Sequence, residues 1–584
     1  MKKTLTLTVS ICALLCIAFV VLTVLPFVAY AAATAEPISV TCSFYDGALT
    51  RGFCWYTSRA VTNGQAQVIK VADGTAKNSV NWTAAQTIDA EYKDVQGAGD
   101  TSPYRMWKAH VLDLTANATY YYRVGSAAAW SDVGMFQTSV NDGVRMIHVT
   151  DTQGYTQADY NLFYECLAGA HSVMPNPQSI IFTGDIVTTA NNFQQWNFAL
   201  DGAKQYFMNT TVTPSAGNHE RSGGHFFNRF DIKAQPGANT ETGVYYSYDV
   251  DNVHFTVLNN NDMTSDSVMT PAQVEWLKAD LAATTAQWKV VIMHYAMVSP
   301  GEHGIVSSSD PTLNADMVNA RNVLMPIFSQ YQVDLALAGH EHIYSRSEPY
   351  RWGTDSGKTV QTGYFTTQQA VFGQTRNVMV NPQGTPYICL NASGYLLASP
   401  MTNRLPDFFT YAKNDKGVAM KSQPYYQMFG ALQIKDGQLL YQVYNVNGGV
   451  AQMYDYVAIQ KTQPLTAAQL QEAQDVMDLI DALSPIDLSK KDQVTQARTR
   501  YDSLNQTQKS LVTNYSILLR AEEVIASLEA DQAPANTQGG NQGQPNPINY
   551  PLVISLSVVG GVVVAGGVAA AVILVVKRKK GGAK

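Results

Sequence analysis

Cysteine is scarce in this chain. Six occur in 584 residues, and Cys12 and Cys16 fall in an apolar N-terminal stretch, which leaves Cys42, Cys54, Cys166 and Cys389 for everything after it. That supply fits an exported protein with few disulfides. Cys42 and Cys54 flank Asp46-Gly47 in two runs that read as neighbouring strands, so a cross-strand disulfide between them is an open expectation. Cys166, on a helical pattern, and Cys389, in an apolar run, read as buried thiols. Charge of one sign is also lacking: the net charge is −7, and no basic patch interleaved with aromatics occurs outside the C-terminal tail, so nucleic acid is not an implied partner. No L-P-x-T-G precedes the C-terminal apolar segment, and Leu15 before Cys16 is too large for a lipoprotein cleavage site.

What is present at the two ends predicts an address. Met1-Lys-Lys3, an apolar stretch to Ala31, and small residues at Ala29, Ala31, Ala33 and Ala35 read as a secretory signal over residues 1–33. Leu552 to Val576 is an apolar segment long enough to cross a bilayer, and Lys577-Arg-Lys-Lys580 opens a basic tail over 577–584. Basic residues inside put the rest of the chain outside, at the cell surface on a single span. Gly561, Ala565, Gly566 and Ala570 would let two such helices approach closely, but small residues are ordinary in membrane helices. The Gln, Asn, Gly and Pro of residues 531–550 read as a flexible linker.

Between the ends the patterning changes twice. Residues 37–140 alternate apolar and polar, as in Arg51-Gly-Phe-Cys-Trp-Tyr56 and Ala118-Thr-Tyr-Tyr-Tyr-Arg-Val124, and predict an all-β sandwich similar to a fibronectin type III module. Residues 143–460 mix short apolar runs with helical patterns over Asp159 to Val173 and Ala315 to Tyr331, which predicts an α/β domain. Residues 465–530 carry helical spacing with breaks at Pro485 and Asn505, predicting three short amphipathic helices in a small bundle, in one copy and without a repeat array.

Five strings in the α/β region carry the chemistry: VTDTQ ending at Gln153, FTGDIV around Asp185, SAGNHE ending at Glu220, VVIMHY around His294, and AGHEH ending at His342. The apolar runs 145–150, 179–182, 289–293 and 333–338 each stop at a polar residue of this set, so the set gathers on loops at strand ends. Two cations roughly 3.5–4 Å apart need a carboxylate between them, and Asp185 is the candidate bridge. Imidazoles and carboxylate or amide oxygens supply outer ligands while leaving positions for water and substrate. Such a pair lowers the pKa of a shared water and clamps the attacking and leaving oxygens at phosphorus. His340 and His342, at i and i+2, can serve both ions from one extended segment.

At these residues the chain resembles the calcineurin-like metallophosphoesterase superfamily, and within it the purple acid phosphatases. The resemblance rests on G-D, G-N-H-E, a histidine after a strand, and G-H-x-H, continued by Gly339-His-Glu-His-Ile-Tyr-Ser-Arg-Ser347, and it covers roughly residues 37 to 460. It implies one metal on Asp151, Asp185 and His342 with Gln153 as a further ligand, and a second on Asp185, Asn218, His294 and His340. It implies that His219 faces the substrate, stabilising phosphoryl charge or protonating the leaving oxygen, with His303 a second candidate for that role. The segment before Met146 looks like the β-sandwich that precedes the catalytic domain in purple acid phosphatases.

Two positions depart from the pattern. Gln153 stands where many members place a histidine, and Thr188 where purple enzymes place a ferric-ligating tyrosine, so no purple colour is expected. The expected cofactor is two metal ions, iron, manganese, zinc or magnesium, with a lean away from zinc at the amide-bearing first position. Taken singly, a histidine at a strand end or a Gly-Asp turn is ordinary; the joint order of five strings is not. His148, His171, His225 and His254 have no partner in the pattern and read as structural. The expectation is a membrane-anchored extracytoplasmic phosphomonoesterase acting on a phosphorylated small molecule through metal-activated hydroxide. The alternatives are a phosphodiesterase or nucleotide pyrophosphatase with the same metal core, and an inactive surface-binding protein on this fold.

Overall fold

The computed structural model describes residues 34–95, 104–139, 142–299, 301, 303, 315–352, 359–361, 365–397, 426–462 and 466–532. The expected signal, linker, membrane span and basic tail lie outside them. Among the described residues no helix is long and apolar enough to cross a membrane.

The N-terminal part is a sandwich. One sheet holds β1 (Ile38–Ser43), β2 (Arg51–Ser58), β5 (Glu91–Val95) and β6 (Tyr104–Val111); the other holds β3 (Gln65–Val71), β4 (Gln86–Asp89), β7 (Thr119–Ser126), β8 (Ala129–Trp130) and β9 (Gly134–Gln137). Phe53, Trp55, Trp107, Tyr122, Val124 and Phe136 fill the space between them, and Trp107 Nε1–H finds Thr57 Oγ1 at 2.8 Å. The sandwich is not free-standing. Its first sheet joins the central domain, because β1 pairs in parallel with β12 (Thr211–Pro214) through Ser43 and Val212. The expected Cys42–Cys54 disulfide is absent: both thiols are free. Cys42 lies opposite Phe53 and Cys54 opposite Thr41, so the two cysteines are one register step apart on adjacent strands and point to opposite faces. Cys42 enters the sandwich core, while Cys54 packs with Tyr56 and Phe193, and burial pushes each thiol up to about 12.

The central domain is two facing sheets with helices outside. In the first, β10 (Val144–Val149), β11 (Ser179–Phe182) and β12 run parallel, and antiparallel β23 (Gln427–Lys435), β24 (Gln438–Asn447) and β25 (Val450–Gln460) extend it beyond β10. In the second, β14 (Val253–Val257), β15 (Trp288–Tyr295), β16 (Leu335–Gly339) and β22 (Tyr387–Cys389) run parallel, with β13 (Tyr246–Val250) and β17 (Ser345–Arg346) at the edges. Strand alternation divides their side chains between two cores. Val290, Ile292, Leu335 and Leu337 share a core with Met146 and Ile181 of the opposite sheet, on the face whose Thr213 hydroxyl lies 2.7 Å from that of Tyr248. Val291, Met293, Ala336 and Ala338 face Leu277 and Leu281 of α4 (Pro271–Ala283) and Leu324 and Phe328 of α5 (Ala315–Tyr331). On the other side, α1 (Gln157–Val173), α2 (Phe193–Asp201) and the short α3 (Lys204–Phe207) contribute Phe163, Leu167, Trp196 and Phe207 to the first core. The parallel strands β10, β11 and β12 of the first sheet and β15 and β16 of the second deliver their C-terminal ends to one edge of this four-layer body, the place where loops build sites.

His254 on β14 is a structural histidine with a measurable consequence. Its Nδ1 lies 2.7 Å from Asp249 Oδ1 and its Nε2 2.9 Å from Asp280 Oδ2. Burial opposes its charge, but the two carboxylates outweigh burial and raise it to about 9. A pKa raised above the unfolded value near 6.5 gives stability that is complete below that pH and is lost between roughly 6.5 and 9. Because Asp249 is largely exposed, about 2 kcal/mol is the expected size. Urea unfolding of wild type and His254→Gln should differ by that amount at pH 6 and converge at pH 9.

After the central domain, α6 (Ala467–Asp481), α7 (Lys491–Ser503), α8 (Gln506–Leu511) and α9 (Tyr515–Gln532) pack round Val476, Ile480, Leu483, Val494, Ala497, Leu518 and Ala521. There are four helices where the spacing predicts three. Asn505 starts a six-residue helix of its own by capping Gln508, and the chain breaks again at Val512.

Candidate metal centre

Every residue of the motif set but His294 follows a strand. Asp151 comes after β10, Asp185 after β11, Asn218 and His219 after β12, and His340 and His342 after β16, while His294 sits in the last turn of β15 beside a break in its register with β16. The structure brings all of them together. Asp185, His294 and His340 offer ligand atoms within 4.8 Å of one another, as do Asp151, Asp185 and His342, so the two groups share Asp185.

Backbone conformation is forced here. Asp151, Asp185, His340 and His342 have φ of 50°, 53°, 77° and 51°, four of the 14 non-glycine residues with positive φ among those described. Each such residue costs on the order of 1–3 kcal/mol and persists only where its surroundings over-determine it. The surroundings do so. Asp151 Oδ2 accepts from Thr150 Oγ1 at 2.7 Å and from the His340 N–H at 2.9 Å, tying one ligand loop to another. Asp185 Oδ1 accepts from the His219 N–H at 3.0 Å. The loops touch so closely that a methyl group on Gly339 would lie 1.9 Å from Thr150 Oγ1, and one on Gly217 would lie 2.1 Å from Asp185 Oδ1.

The donor set fits cations. His294 Nδ1–H donates to the Thr183 carbonyl at 2.7 Å, which leaves Nε2 as the lone-pair side of a neutral ring. That Nε2 faces other electron donors: Asn218 Oδ1 at 2.9 Å, His340 Nδ1 at 3.2 Å and Asp185 Oδ2 at 3.3 Å. Asp151 Oδ1, 3.3 Å from His342 Nε2, is buried without a hydrogen-bond partner, although the other oxygen of the same carboxylate has two. Donor atoms crowded face to face, with a buried orphan among them, fit metal ions between them. A proton competes with a cation for that Nε2: burial opposes charge on His294, but Asp185 foremost raises it to about 9. Burial also opposes ionisation of Asp185, which His294, then His219 and His340, hold well below the usual carboxylate range. Burial, then the imidazoles of His294 and His303, push His340 far down, leaving it a neutral donor.

Gln153 turns its amide nitrogen to the cluster. Nε2 donates to Asp185 Oδ2 at 3.2 Å and lies 3.2 Å from His342 Nε2, while Oε1 is buried without a partner. In this orientation Gln153 positions Asp185, and a half-turn of the amide would present the oxygen to the same place. His219 gives its Nδ1–H to the Thr188 carbonyl at 2.7 Å and keeps Nε2, 3.9 Å from Asp185 Oδ2, on the half-open side of the cluster. His303 is held by Glu341, with Nδ1 3.3 Å from Oε2, and its ring centroid lies 4.6 Å from that of His340. His148, His171, His225 and His254 stay outside the cluster. His148 is enclosed by the Tyr441 and Thr183 hydroxyls, and burial pushes it down to about 3.

Sequence reading passed over the residues that hold the ligands. Buried Glu220 accepts from the N–H groups of Asp185, Gly217 and Val187 at 3.0, 2.9 and 3.0 Å, so one carboxylate fastens the Gly-Asp loop to the Gly-Asn-His-Glu turn. Burial, then the charge of Asp185, raise it to about 7. Asn260 Oδ1 accepts from the His294 and Tyr295 N–H groups, each at 3.1 Å. Past His342, Tyr344 Oη and Arg346 Nε donate to buried Asp455 on β25 at 2.6 and 2.8 Å, which clamps the end of the last motif to the opposite sheet. Glu220 has a sequence signal, as the acid that closes the Gly-Asn-His-Glu turn; Asn260 and Asp455 have none.

Comparisons with known proteins agree with this geometry. A family model described as calcineurin-like phosphoesterase matches residues 144–344, and one described as purple acid phosphatase, N-terminal domain, matches residues 37–138. An uncharacterized protein of Mycobacterium tuberculosis is 25% identical over 344 residues, 52% of this chain and 60% of its own length. A probable inactive purple acid phosphatase of Arabidopsis thaliana is 22% identical over 303 residues, 47% of each chain, and a further purple acid phosphatase of that plant is 32% identical over 141 residues, 22% of this chain and 28% of its own. The chain thus spans at most about 60% of the length of these curated relatives. Among solved structures, a purple acid phosphatase from yellow lupin (Lupinus luteus) seeds superimposes with a TM-score of 0.54 at 15% identity, covering 74% of this chain and 77% of the other, a likeness of fold.

Proposed function

Since this chain carries a calcineurin-like phosphoesterase domain behind a purple acid phosphatase N-terminal domain, we propose that it is a two-metal phosphomonoesterase, exported and held at the membrane by its C-terminal apolar segment. The observation that carries the reading is the sharing of Asp185 by two three-residue ligand groups. Asp151, Asp185 and His342 would hold one ion, and Asp185, Asn218, His294 and His340 the other, with Gln153 beside the first. Two cations there would make water acidic enough to supply a nucleophile near neutral pH and would neutralise phosphoryl charge.

The protein's own groups do the rest. Asp185 is held by the N–H of His219 and the backbone anchors of its loop, and so would stand between the two ions when they are bound. His219 faces the open side with Nε2, and its Nδ1–H stays on the Thr188 carbonyl, which fixes the orientation of the ring. A proton at Nε2 can therefore pass to the leaving alkoxide, or pair with phosphoryl oxygen while it stays. His303, braced by Glu341 at the second site, is proposed as a further contact to the phosphoryl group.

His219→Ala tests this division of labour. It is expected to lower kcat for p-nitrophenyl phosphate by about 10²–10³-fold while bound metal per chain stays at the wild-type value. Loss of metal together with activity would make His219 a ligand instead. A stronger turnover of bis-p-nitrophenyl phosphate than of the monoester would favour the phosphodiesterase alternative. The relative named a probable inactive purple acid phosphatase gives a third reading some footing, against which stands the presence here of Asn218, His219, His340 and His342 in one cluster.

A further inference from the structure

Tyr295 follows His294 directly and takes no part in the chemistry above, yet it is only 3% exposed and lies against the second ligand group. A break in strand pairing puts it there. Ile292 of β15 lies opposite Leu337 of β16, whereas Tyr295 lies opposite Gly339, so three steps along β15 match two along β16 and β15 carries one extra residue at its end. A bulge of this kind re-aims a side chain that regular alternation would send to the opposite face. The N–H groups of His294 and Tyr295 accordingly reach one acceptor, Asn260 Oδ1, each at 3.1 Å.

The bulge sets two consecutive rings beside one partner. The ring centroids of His294 and Tyr295 lie 4.9 and 4.7 Å from that of His340, at interplanar angles of 72° and 52°, and 5.6 Å from each other. His340 depends on such neighbours. A metal-binding imidazole is ordinarily oriented by a hydrogen bond from its other ring nitrogen, and His294 has the Thr183 carbonyl for this purpose. The His340 ring has no such partner among the described residues: its one ring-nitrogen contact is Nδ1 to His294 Nε2 at 3.2 Å, between two proposed ligands. Packing therefore orients it. Tyr295 is itself fixed at both ends, by Asn260 at the backbone and by Oη, which donates to Asn261 Oδ1 at 3.4 Å. Asn261 Nδ2 in turn donates to the Gly217 carbonyl at 2.9 Å, at the head of the turn that carries Asn218 and His219.

We propose that Tyr295 is a positioning residue for the second ion: its ring fixes the orientation of the His340 imidazole and so sets the affinity of the site formed by Asp185, Asn218, His294 and His340. The inference rests on the two-metal reading and deepens it.

The test is calorimetric titration of the chelated full-length protein with manganese, in wild type, Tyr295→Leu, Tyr295→Met and Tyr295→Phe. Leucine and methionine remove the flat ring and should weaken one of the two binding steps by about 10–100-fold, with the other within about threefold of wild type. Phenylalanine should keep both steps within about threefold, because the hydroxyl bond at 3.4 Å is long and the ring face is retained. In a His340→Gln background Tyr295→Leu should weaken neither step further, since the ring it orients is gone. Equal weakening of both steps, an unweakened leucine variant, or full additivity with His340→Gln would overturn the proposal. Thermal unfolding of each metal-free variant identifies one that has lost its fold, and the other aliphatic variant then gives the result. Wild type that binds two ions but hydrolyses no phosphoester would leave the role of Tyr295 to be decided by the same titrations and overturn the catalytic reading, whereas wild type that binds fewer than two would overturn both.

Discussion

Asp185→Asn should lower kcat/KM for a phosphomonoester by about three orders of magnitude, equivalent to ~4 kcal/mol of transition-state stabilisation, and should leave at most one metal ion per chain. The substitution keeps shape and removes the charge that both ligand groups share. Two cations a few ångströms apart repel strongly, and an amide cannot screen them. The buried His294 also loses the carboxylate charge that lies 3.3 Å from its Nε2. Elemental analysis beside initial rates reads both halves. Full metal content with wild-type rates would remove Asp185 from its place as the bridge.

Glu220→Ala should be the most damaging change at a residue that touches no proposed ion. It strips acceptors from three buried N–H groups, those of Asp185, Gly217 and Val187. An orphaned buried donor costs about 1–3 kcal/mol, and part of the sum is recovered by relaxation, so a loss of roughly 3–5 kcal/mol is expected. Both loops it joins carry proposed ligands, so metal affinity should fall about 10–100-fold as well. Glu220→Gln should lie between, since its amide keeps one oxygen but sets an N–H against an N–H. Calorimetric unfolding and metal titration measure the two effects. Unchanged unfolding in Glu220→Ala would show that water can replace the carboxylate.

How much of this was legible beforehand varies with the range of the interaction. Asp151, Asp185, His294 and His340 stand out because each terminates an apolar run that alternates between two cores, so local patterning places them at strand ends. Helix α5 was equally readable, with Met317, Leu324, Ile327 and Phe328 buried on it despite the internal Pro326. Long-range pairing was not readable. Nothing in the period of β1 says that its edge is parallel to β12, and so the sandwich could be predicted but its fusion to the central sheet could not. The Cys42–Cys54 expectation failed by one step of register, which flips a side chain to the other face. Glu220 sat inside a motif read for its neighbours, and its three backbone partners come from two separate loops. Asp455, which clamps Tyr344 and Arg346, is more than a hundred residues from either, a distance at which sequence spacing carries no contact information.

The most direct test of the central claim is the metal content of the purified protein, measured together with its hydrolysis of p-nitrophenyl phosphate before and after chelation. The account predicts two ions per chain, activity lost on chelation, and activity restored by manganese, iron, zinc or magnesium. A protein that binds no metal and hydrolyses nothing under any of these metals would contradict it, and would make the cluster of Asp151, Asp185, Asn218, His294, His340 and His342 the remnant of a site.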